Sequence, residues 1–168
     1  MPDRAEARRD GEPTTYNLLF VCTGNTCRSP MAAAIASRAI EQRGWSHVAV
    51  QSAGIAGAMD LPASENAVRV AAEHGLDLAG HRSQPLTAAL IRWADLILVM
   101  SPSQLLAVSE MGGADKVALV TDFLEGEGWG EPIMDPFGSD EGTYRRAFAQ
   151  LEQAIGSVLD RIQPIVAP

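Results

Sequence analysis

The sequence is poor in cysteine and in long apolar runs. Its 168 residues include only two cysteines, Cys22 and Cys27, which are too few for a disulfide framework or a zinc site. No apolar run approaches the roughly 20 residues that a membrane-spanning helix needs. Residues 1–14 are charged and lack the apolar core of a secretory signal. We therefore expect a cytoplasmic protein that holds no metal.

Positive charge is also scarce. The formal net charge of −8 at pH 7 argues against non-specific binding of nucleic acid and against docking to an anionic membrane. The chain is long enough for one domain with a proper core. We expect a disordered leader over residues 1–14, followed by a single domain over residues 15–164. We further expect a monomer with no nucleic-acid or membrane partner.

Short apolar runs alternate along the chain with segments of helical periodicity, an arrangement that indicates an α/β fold with a parallel sheet and helices on both faces. The four predicted strands are Tyr16–Val21, Val48–Ser52, Asp95–Met100 and Lys116–Val120. The predicted helices are Ser29 to about Arg43, Glu65–His74 with Ser64 as its cap, Thr87–Trp93, Ser101–Met111 and Tyr144–Ile162.

The most informative stretch is Val21–Pro30, VCTGNTCRSP. It joins a buried strand to a helix, so its backbone N–H groups and the helix N-terminus favour a bound oxyanion such as phosphate. The spacing between Cys22 and Arg28 lets the sulfur lie beneath phosphorus while the guanidinium covers two phosphate oxygens. A helix N-terminus and a nearby cation stabilise a thiolate, and the Ser29 hydroxyl is placed to donate to it. We therefore predict that Cys22 is a nucleophile aimed at phosphorus.

The other residues of this loop are expected to bind the phosphate. The predicted phosphate-binding set is Thr23, Gly24, Asn25, Thr26, Cys27, Arg28 and Ser29. The alternative is that Cys22 is an ordinary buried cysteine at a strand end and that Arg28 lies on a helix surface.

The residues Cys22–Pro30 resemble the signature of the low-molecular-weight protein tyrosine phosphatase family, Cys-x-Gly-Asn-x-Cys-Arg-Ser-Pro, at every fixed position. The resemblance extends from about Asn17 to Gln163. It implies a four-stranded parallel sheet of order 2-1-3-4, with the phosphate loop after strand 1. It also implies hydrolysis of a phosphorylated protein side chain through a phosphocysteine intermediate, with inorganic phosphate as product and no cofactor.

A second stretch, Ile133–Gly138, carries an Asp-Pro pair. Taken alone, Asp135 followed by Pro136 is most often a turn. The resemblance implies instead that Asp135 is the general acid, which protonates the leaving group and then activates the water that hydrolyses the phosphocysteine. It also implies that Phe137 forms a wall of the substrate pocket, although an aromatic on a loop can equally belong to the core.

The resemblance also assigns supporting residues. Asn25, Ser29, Ser52 and His81 match residues that hold the phosphate loop rigid, with Asn25 in the left-handed conformation that asparagine tolerates. Cys27 matches a second thiol that can form a reversible disulfide with Cys22. The alternative for Cys27 is that it is simply a small packed residue.

Two features bear on the substrate. Thr26 stands where tyrosine-directed members carry a bulky aliphatic residue, and the loop over residues 55–60 lacks the aromatic that flanks a phenol ring. Together with Phe137 and its neighbours, Thr26 resembles the bacterial protein arginine phosphatase branch, so phosphoarginine is favoured over phosphotyrosine. Arsenate reduction would need relay cysteines outside the loop, which this chain lacks. A non-catalytic phosphate-binding module is the remaining alternative, and an intact Cys22 argues against it.

Overall fold

The computed structural model describes residues 15–167, so the leader predicted at residues 1–14 lies outside the described part. The described chain forms a four-stranded parallel sheet of order β2-β1-β3-β4. The strands are β1 (Tyr16–Cys22), β2 (Val48–Gly54), β3 (Leu96–Val99) and β4 (Val117–Leu119). The helices are α1 (Arg28–Gln42), α2 (Glu65–Glu73), α3 (Ala88–Trp93), α4 (Pro102–Val108) and α5 (Glu141–Val166).

Both faces of the sheet are covered by helices. Alternate side chains of β1 point to opposite faces, so Leu18, Phe20 and Cys22 belong to the core shared with α1, α2 and α5. Leu19 and Val21 belong to the smaller core beneath α3 and α4. This double burial explains why β1 is a continuous apolar run. The predicted α/β class, strand order and placement of helices are confirmed.

The second strand extends farther than predicted. It was expected to end at Ser52, but β2 continues to Gly54, which pairs with Cys22 at the carboxyl end of β1. A Cβ atom at Gly54 would lie 2.6 Å from the carbonyl oxygen of Thr23 and 2.9 Å from the backbone nitrogen of Asn25. Glycine is therefore required here, because the loop after β1 passes directly over this position.

The helix ends also differ from the sequence prediction. Helix α5 was expected over Tyr144–Ile162, but it begins at Glu141, since the Asp140 side chain accepts a hydrogen bond from Thr143 N at 2.9 Å and caps the first turn. At the other end it continues through Pro164 to Val166, where a proline in the last turns removes little of the backbone ladder. Val166 is buried against the core.

Helix α4 is shorter than its apolar pattern indicated. It was expected to reach Met111, but α4 ends at Val108 and a wider π-type turn follows over Ser109–Gly113. Gly112 adopts a φ of 101° inside this turn, which the α-helix does not allow. Among residues 15–167, no helix is long and apolar enough to cross a membrane.

Candidate active site

The loop between β1 and α1 surrounds the sulfur of Cys22. The side chain of Cys22 is buried, at 3% exposure, and its Sγ lies 2.9 Å from Ser29 Oγ. The backbone N–H of Asn25 donates to the same sulfur at 3.3 Å. Two hydrogen-bond donors at the N-terminus of α1 would stabilise negative charge on this atom. The arrangement therefore suits a thiolate.

Asn25 is the residue that fixes the shape of the loop. Its backbone has a φ of 58°, the left-handed region that asparagine tolerates better than most residues. Its Nδ2 donates to Ser29 Oγ at 2.7 Å and to Ser52 Oγ at 3.0 Å. Its Oδ1 accepts from the backbone N–H of Gln84 at 3.0 Å. His81 Nε2 lies 2.7 Å from the carbonyl oxygen of Asn25, so Ser52 and His81 meet the loop where the sequence prediction placed them.

The guanidinium of Arg28 connects this loop to the Asp-Pro stretch. Arg28 is the first residue of α1 and is 6% exposed. Its Nη1 donates to the carbonyl oxygen of Ile133 at 3.1 Å, and its Nη2 lies 3.6 Å from Asp135 Oδ2. The alternative of an arginine on the helix surface is therefore wrong. A buried guanidinium beside Cys22 is placed to neutralise an oxyanion.

Asp135 and Phe137 stand at the open side of the site. The Asp135 side chain is 57% exposed, and its Oδ1 accepts a hydrogen bond from the Phe137 backbone N–H at 3.1 Å. The Phe137 ring is 73% exposed, so it is not a core residue. Ile133 anchors the stretch, because it is buried and its N–H donates to the carbonyl oxygen of Met100 at 2.9 Å.

These groups line one pocket of about 210 Å³. Its lining residues are Cys22, Thr23, Gly24, Thr26, Cys27, Arg28, Asp135 and Phe137. Of the predicted site residues, Asn25, Ser29, Ser52 and His81 support the pocket without lining it. The pocket thus holds a nucleophile, a cation and a carboxylate side by side, which is the set that phosphoryl transfer to sulfur requires. Among residues 15–167, no three His, Cys, Asp or Glu side chains are grouped so that they could hold a metal ion.

Cys27 contacts a buried tyrosine that the sequence analysis did not single out. The hydroxyl of Tyr144 is 3.4 Å from Cys27 Sγ, and the ring is 2% exposed. Burial, with a smaller contribution from the hydrogen bond to Cys27, raises the pKa of Tyr144 to about 12. Ser64 was expected to cap α2, but its hydroxyl instead lies 3.4 Å from Cys27 Sγ and makes no cap hydrogen bond. The two cysteines are both free.

Two glutamines were also missed. The backbone of Gln84 supports Asn25, and its Nε2 donates to the carbonyl oxygen of Ser52 at 2.9 Å. Gln104 is 2% exposed, and its Nε2 donates to Thr23 Oγ1 at 3.2 Å. Neither residue stands in a recognisable motif. The sequence signal for Gln104 was a polar residue within the apolar face of a helix that begins directly after a buried strand.

The sequence model of the family described as low molecular weight phosphotyrosine protein phosphatase matches residues 17–166. The chain is 39% identical over 150 residues to a protein-arginine-phosphatase of Geobacillus stearothermophilus, with 88% of this chain and 97% of that protein covered. It is 36% identical over 153 residues to the probable low molecular weight protein-tyrosine-phosphatase EpsP of Ralstonia solanacearum, with the same two coverages.

A solved structure shows the same fold. It is a cysteine-to-serine mutant of the arginine phosphatase YwlE with a phosphorylated active site serine, and it superposes with a TM-score of 0.81 at 32% identity. The match covers 88% of this chain and 95% of that one. The chain therefore belongs to the low molecular weight phosphotyrosine protein phosphatase family. It is a cysteine-dependent protein phosphatase, and its substrates are phosphorylated proteins.

Proposed function

We propose that this phosphatase hydrolyses phosphoarginine in proteins, with Cys22 as nucleophile, Arg28 as phosphate ligand and Asp135 as general acid and base. In the first step the Cys22 thiolate forms an S–P bond as the P–N bond to the guanidino group breaks, and Asp135 gives its proton to the departing nitrogen. In the second step water attacks phosphorus and gives a proton to Asp135, and the S–P bond breaks. Inorganic phosphate leaves and the thiolate is restored.

One observation carries this mechanism. The sulfur that is hydrogen-bonded to Ser29 and to the Asn25 N–H, the buried guanidinium and the exposed carboxylate all border a single small pocket. The nucleophile lies on the closed side of this pocket, and the carboxylate of Asp135 lies on the open side, where a leaving group departs. The phosphorylated active site serine of the YwlE mutant supports a phosphorylated enzyme intermediate at the matching position.

The phosphoarginine preference is supported by the polar character of the pocket. Thr26 lines the pocket, so its hydroxyl oxygen can accept a hydrogen bond from an N–H group of a guanidinium. The carboxylate of Asp135, 57% exposed beside it, can hold and protonate the same group. The loop over residues 55–60 carries no aromatic side chain to flank a phenol. The relative at 39% identity is named as an arginine phosphatase.

Phosphotyrosine is the second candidate. The Phe137 ring borders the pocket and is 73% exposed, so it offers an apolar face on which a phenol ring can pack. The Ralstonia relative at 36% identity is named as a probable tyrosine phosphatase. Both candidates use the same nucleophile and general acid, so they differ only in how the pocket binds the leaving group.

The substitution Thr26→Ile tests the choice between them. It keeps the β-branch and removes the hydroxyl, so the guanidinium N–H groups lose a polar partner, a loss of about 1–3 kcal/mol. The ratio of kcat/KM for a phosphoarginine peptide to that for a phosphotyrosine peptide should fall by about 5- to 150-fold. The matched variant Thr26→Ser keeps the hydroxyl and should keep most of the ratio. Inhibition by inorganic phosphate, measured in each protein, reports whether the loop still binds an anion.

A wild-type protein that prefers the phosphotyrosine peptide would overturn the phosphoarginine assignment and leave the phosphatase mechanism standing. A ratio that Thr26→Ile does not change would show that this residue does not select the substrate.

We also propose that the enzyme acts as a cytoplasmic monomer, without a nucleic-acid or membrane partner. The net charge of −8 supports the absence of nucleic acid, since polyanions repel an acidic surface. The two free cysteines support a reducing compartment. Sedimentation at several protein concentrations tests the monomer, because self-association would raise the apparent mass as concentration rises.

A further inference from the structure

A buried amide from α4 reaches the phosphate loop. Gln104 is 2% exposed, and its Oε1 accepts a hydrogen bond from the backbone N–H of Met100 at 2.8 Å. Its Nε2 donates to the hydroxyl oxygen of Thr23 at 3.2 Å. Thr23 directly follows Cys22 and lines the pocket. A side chain from outside the loop therefore contacts a loop residue that borders the site.

The hydrogen bonds that link Met100, Gln104 and Thr23 can run in only one direction. A backbone N–H can only donate, so the end of the Gln104 amide that meets Met100 must be its oxygen. The other end is then the NH₂ group, which can only donate to Thr23. The Thr23 oxygen is thereby committed to accepting, and its hydroxyl hydrogen must point elsewhere. Thr23 is exposed and borders the pocket, so its hydroxyl hydrogen is open to a ligand bound there.

We propose that the Thr23 hydroxyl donates a hydrogen bond to a phosphoryl oxygen of the substrate and that Gln104 is the positioning residue that orients it. The proposal rests on the proposed function, in that the pocket around Cys22 must be the phosphate site. A protonated guanidino group offers only donors, and the face of a phenol ring is only a weak acceptor. The charged phosphoryl oxygens are therefore the strong acceptors that either substrate brings to this hydroxyl.

This assignment adds a side-chain donor to a cradle otherwise made of backbone N–H groups and Arg28. A hydroxyl on an unrestrained side chain would rotate among several directions. The hydrogen bond from Gln104 to the Thr23 oxygen restricts this rotation. The donor is then aimed before substrate arrives, which spares the cost of ordering it on binding. Because the bound phosphoryl group carries charge in both ground and transition states, the contact should act on binding of phosphate as well as on turnover.

The test measures the inhibition constant of inorganic phosphate, with an aryl phosphate as the reporting substrate. Thr23→Val removes the hydroxyl at nearly constant volume and should raise this constant by about three- to tenfold. Thr23→Ser restores the hydroxyl and should recover most of the affinity. Gln104→Met removes the orienting amide and should raise the constant by about two- to fivefold. In the Thr23→Val background the same Gln104→Met change should have no further effect, since nothing remains to orient.

Two further variants separate positioning from folding. Ser103→Ala lies on the same helix, where its hydroxyl contacts Ser101, and should leave the phosphate constant unchanged. If Gln104→Met does not fold, Gln104→Glu retains an oxygen for Met100 but offers Thr23 only an acceptor. The Thr23 hydroxyl would then turn toward the carboxylate, and phosphate affinity should fall at least as far as in Thr23→Val.

The outcomes distinguish this proposal from the one on which it rests. If phosphate does not inhibit the wild type, the pocket is not the phosphate site and both proposals fail. If phosphate inhibits the wild type and Thr23→Val equally, the hydroxyl makes no contact and only this inference is overturned. Equal effects of Gln104→Met with and without the Thr23 hydroxyl would show that the glutamine acts on the fold rather than through Thr23.

Discussion

The two loops that meet at the pocket are held in opposite ways. The loop over residues 22–29 is largely buried, and Asn25 alone makes side-chain hydrogen bonds to Ser29, to Ser52 and to the backbone of Gln84. The loop over residues 124–140 is irregular, and the Asp135 side chain is 57% exposed. Its carboxylate is held by one backbone N–H and by a guanidinium nitrogen at 3.6 Å.

The difference follows from what each loop must do. An anion cradle works best when its donors are fixed before the anion arrives, because no free energy is then spent on ordering them. A single carboxylate that serves first the leaving group and then water needs an open side from which both can approach. Apart from the nucleophile Cys22, we therefore expect substitutions in the buried loop to act on phosphate binding and stability. Substitutions at Asp135 should act on the chemical step.

The largest expected effect is at the nucleophile. Cys22→Ser should abolish turnover, since a serine hydroxyl is not ionised at neutral pH, but it should leave phosphate binding largely intact. Turnover of an aryl phosphate and calorimetric binding of inorganic phosphate measure the two properties. Cys27→Ser, the other cysteine of the loop, is the matched control and should retain turnover. A Cys22→Ser protein with a tenth of the wild-type rate would remove Cys22 as the nucleophile.

The next effect lies on the exposed loop. Asp135→Asn should lower kcat by about 10²–10⁴, the usual contribution of general acid–base catalysis. The loss should shrink for aryl phosphates whose leaving groups need no proton, so a series of leaving groups measures the role directly. The free energy of unfolding should change little, because the side chain is mostly exposed. An equal loss of kcat across the series would contradict the general-acid assignment.

A smaller effect on rate but a larger one on stability is expected at Asn25. Asn25→Ala removes three side-chain hydrogen bonds and places alanine at a φ of 58°, so the free energy of unfolding should fall by about 2–4 kcal/mol. Asn25→Gly loses the same bonds without the backbone strain and should be less destabilised, by about 1–2 kcal/mol relative to alanine. Denaturant unfolding with and without phosphate measures both. Equal stability of the two variants would show that the conformation is not strained.

The sequence predicted what lies within a few neighbouring residues and missed what the sheet brings together from afar. Residues 22–29 are contiguous, so their spacing alone indicates an anion-binding loop at the end of a strand. Gln84 and Gln104 reach the loop from 59 and 81 positions away, and neither stands in a recognisable motif. The position of Gln104 follows from the strand order, in which β3 lies directly beside β1. Gln84 is brought to the loop by the bridge between Pro85 and Gly54 at the end of β2.

Boundaries were the least predictable part of the fold. The end of β2 at Gly54 depends on a loop that passes over it, and the start of α5 depends on a side-chain cap at Asp140. Both are tertiary or single-residue effects that an apolar pattern does not contain. The disulfide between Cys22 and Cys27 remains a prediction. In the described structure the Cys27 thiol contacts the hydroxyls of Ser64 and Tyr144.

The smallest effect is expected at Tyr144, where the first turn of α5 joins the two loops by contacting Cys27. Its pKa, 10.0 in its ordinary environment, is raised to about 12 in the fold, first by burial and then by the hydrogen bond to Cys27. A raised pKa means that the folded state binds the proton more tightly, so this contribution to stability is complete below pH 10 and is lost as pH rises through about 12. In Tyr144→Phe, the melting temperature should therefore fall less steeply than in the wild type as the pH rises from 10 to about 12.

The chain contains two tyrosines, so substituting each in turn divides the tyrosine part of this alkaline effect between them. Burial and the charge of Asp95 also raise the pKa of Tyr16, so Tyr16→Phe should flatten the same limb and the double variant should flatten it most. Absorbance titration of each single variant reports the one tyrosine that remains. If Tyr144 titrates near pH 10 in the Tyr16→Phe protein, its ring is not buried with its hydroxyl against Cys27 as in the structure. The link from α5 to Cys27 would then be absent in solution.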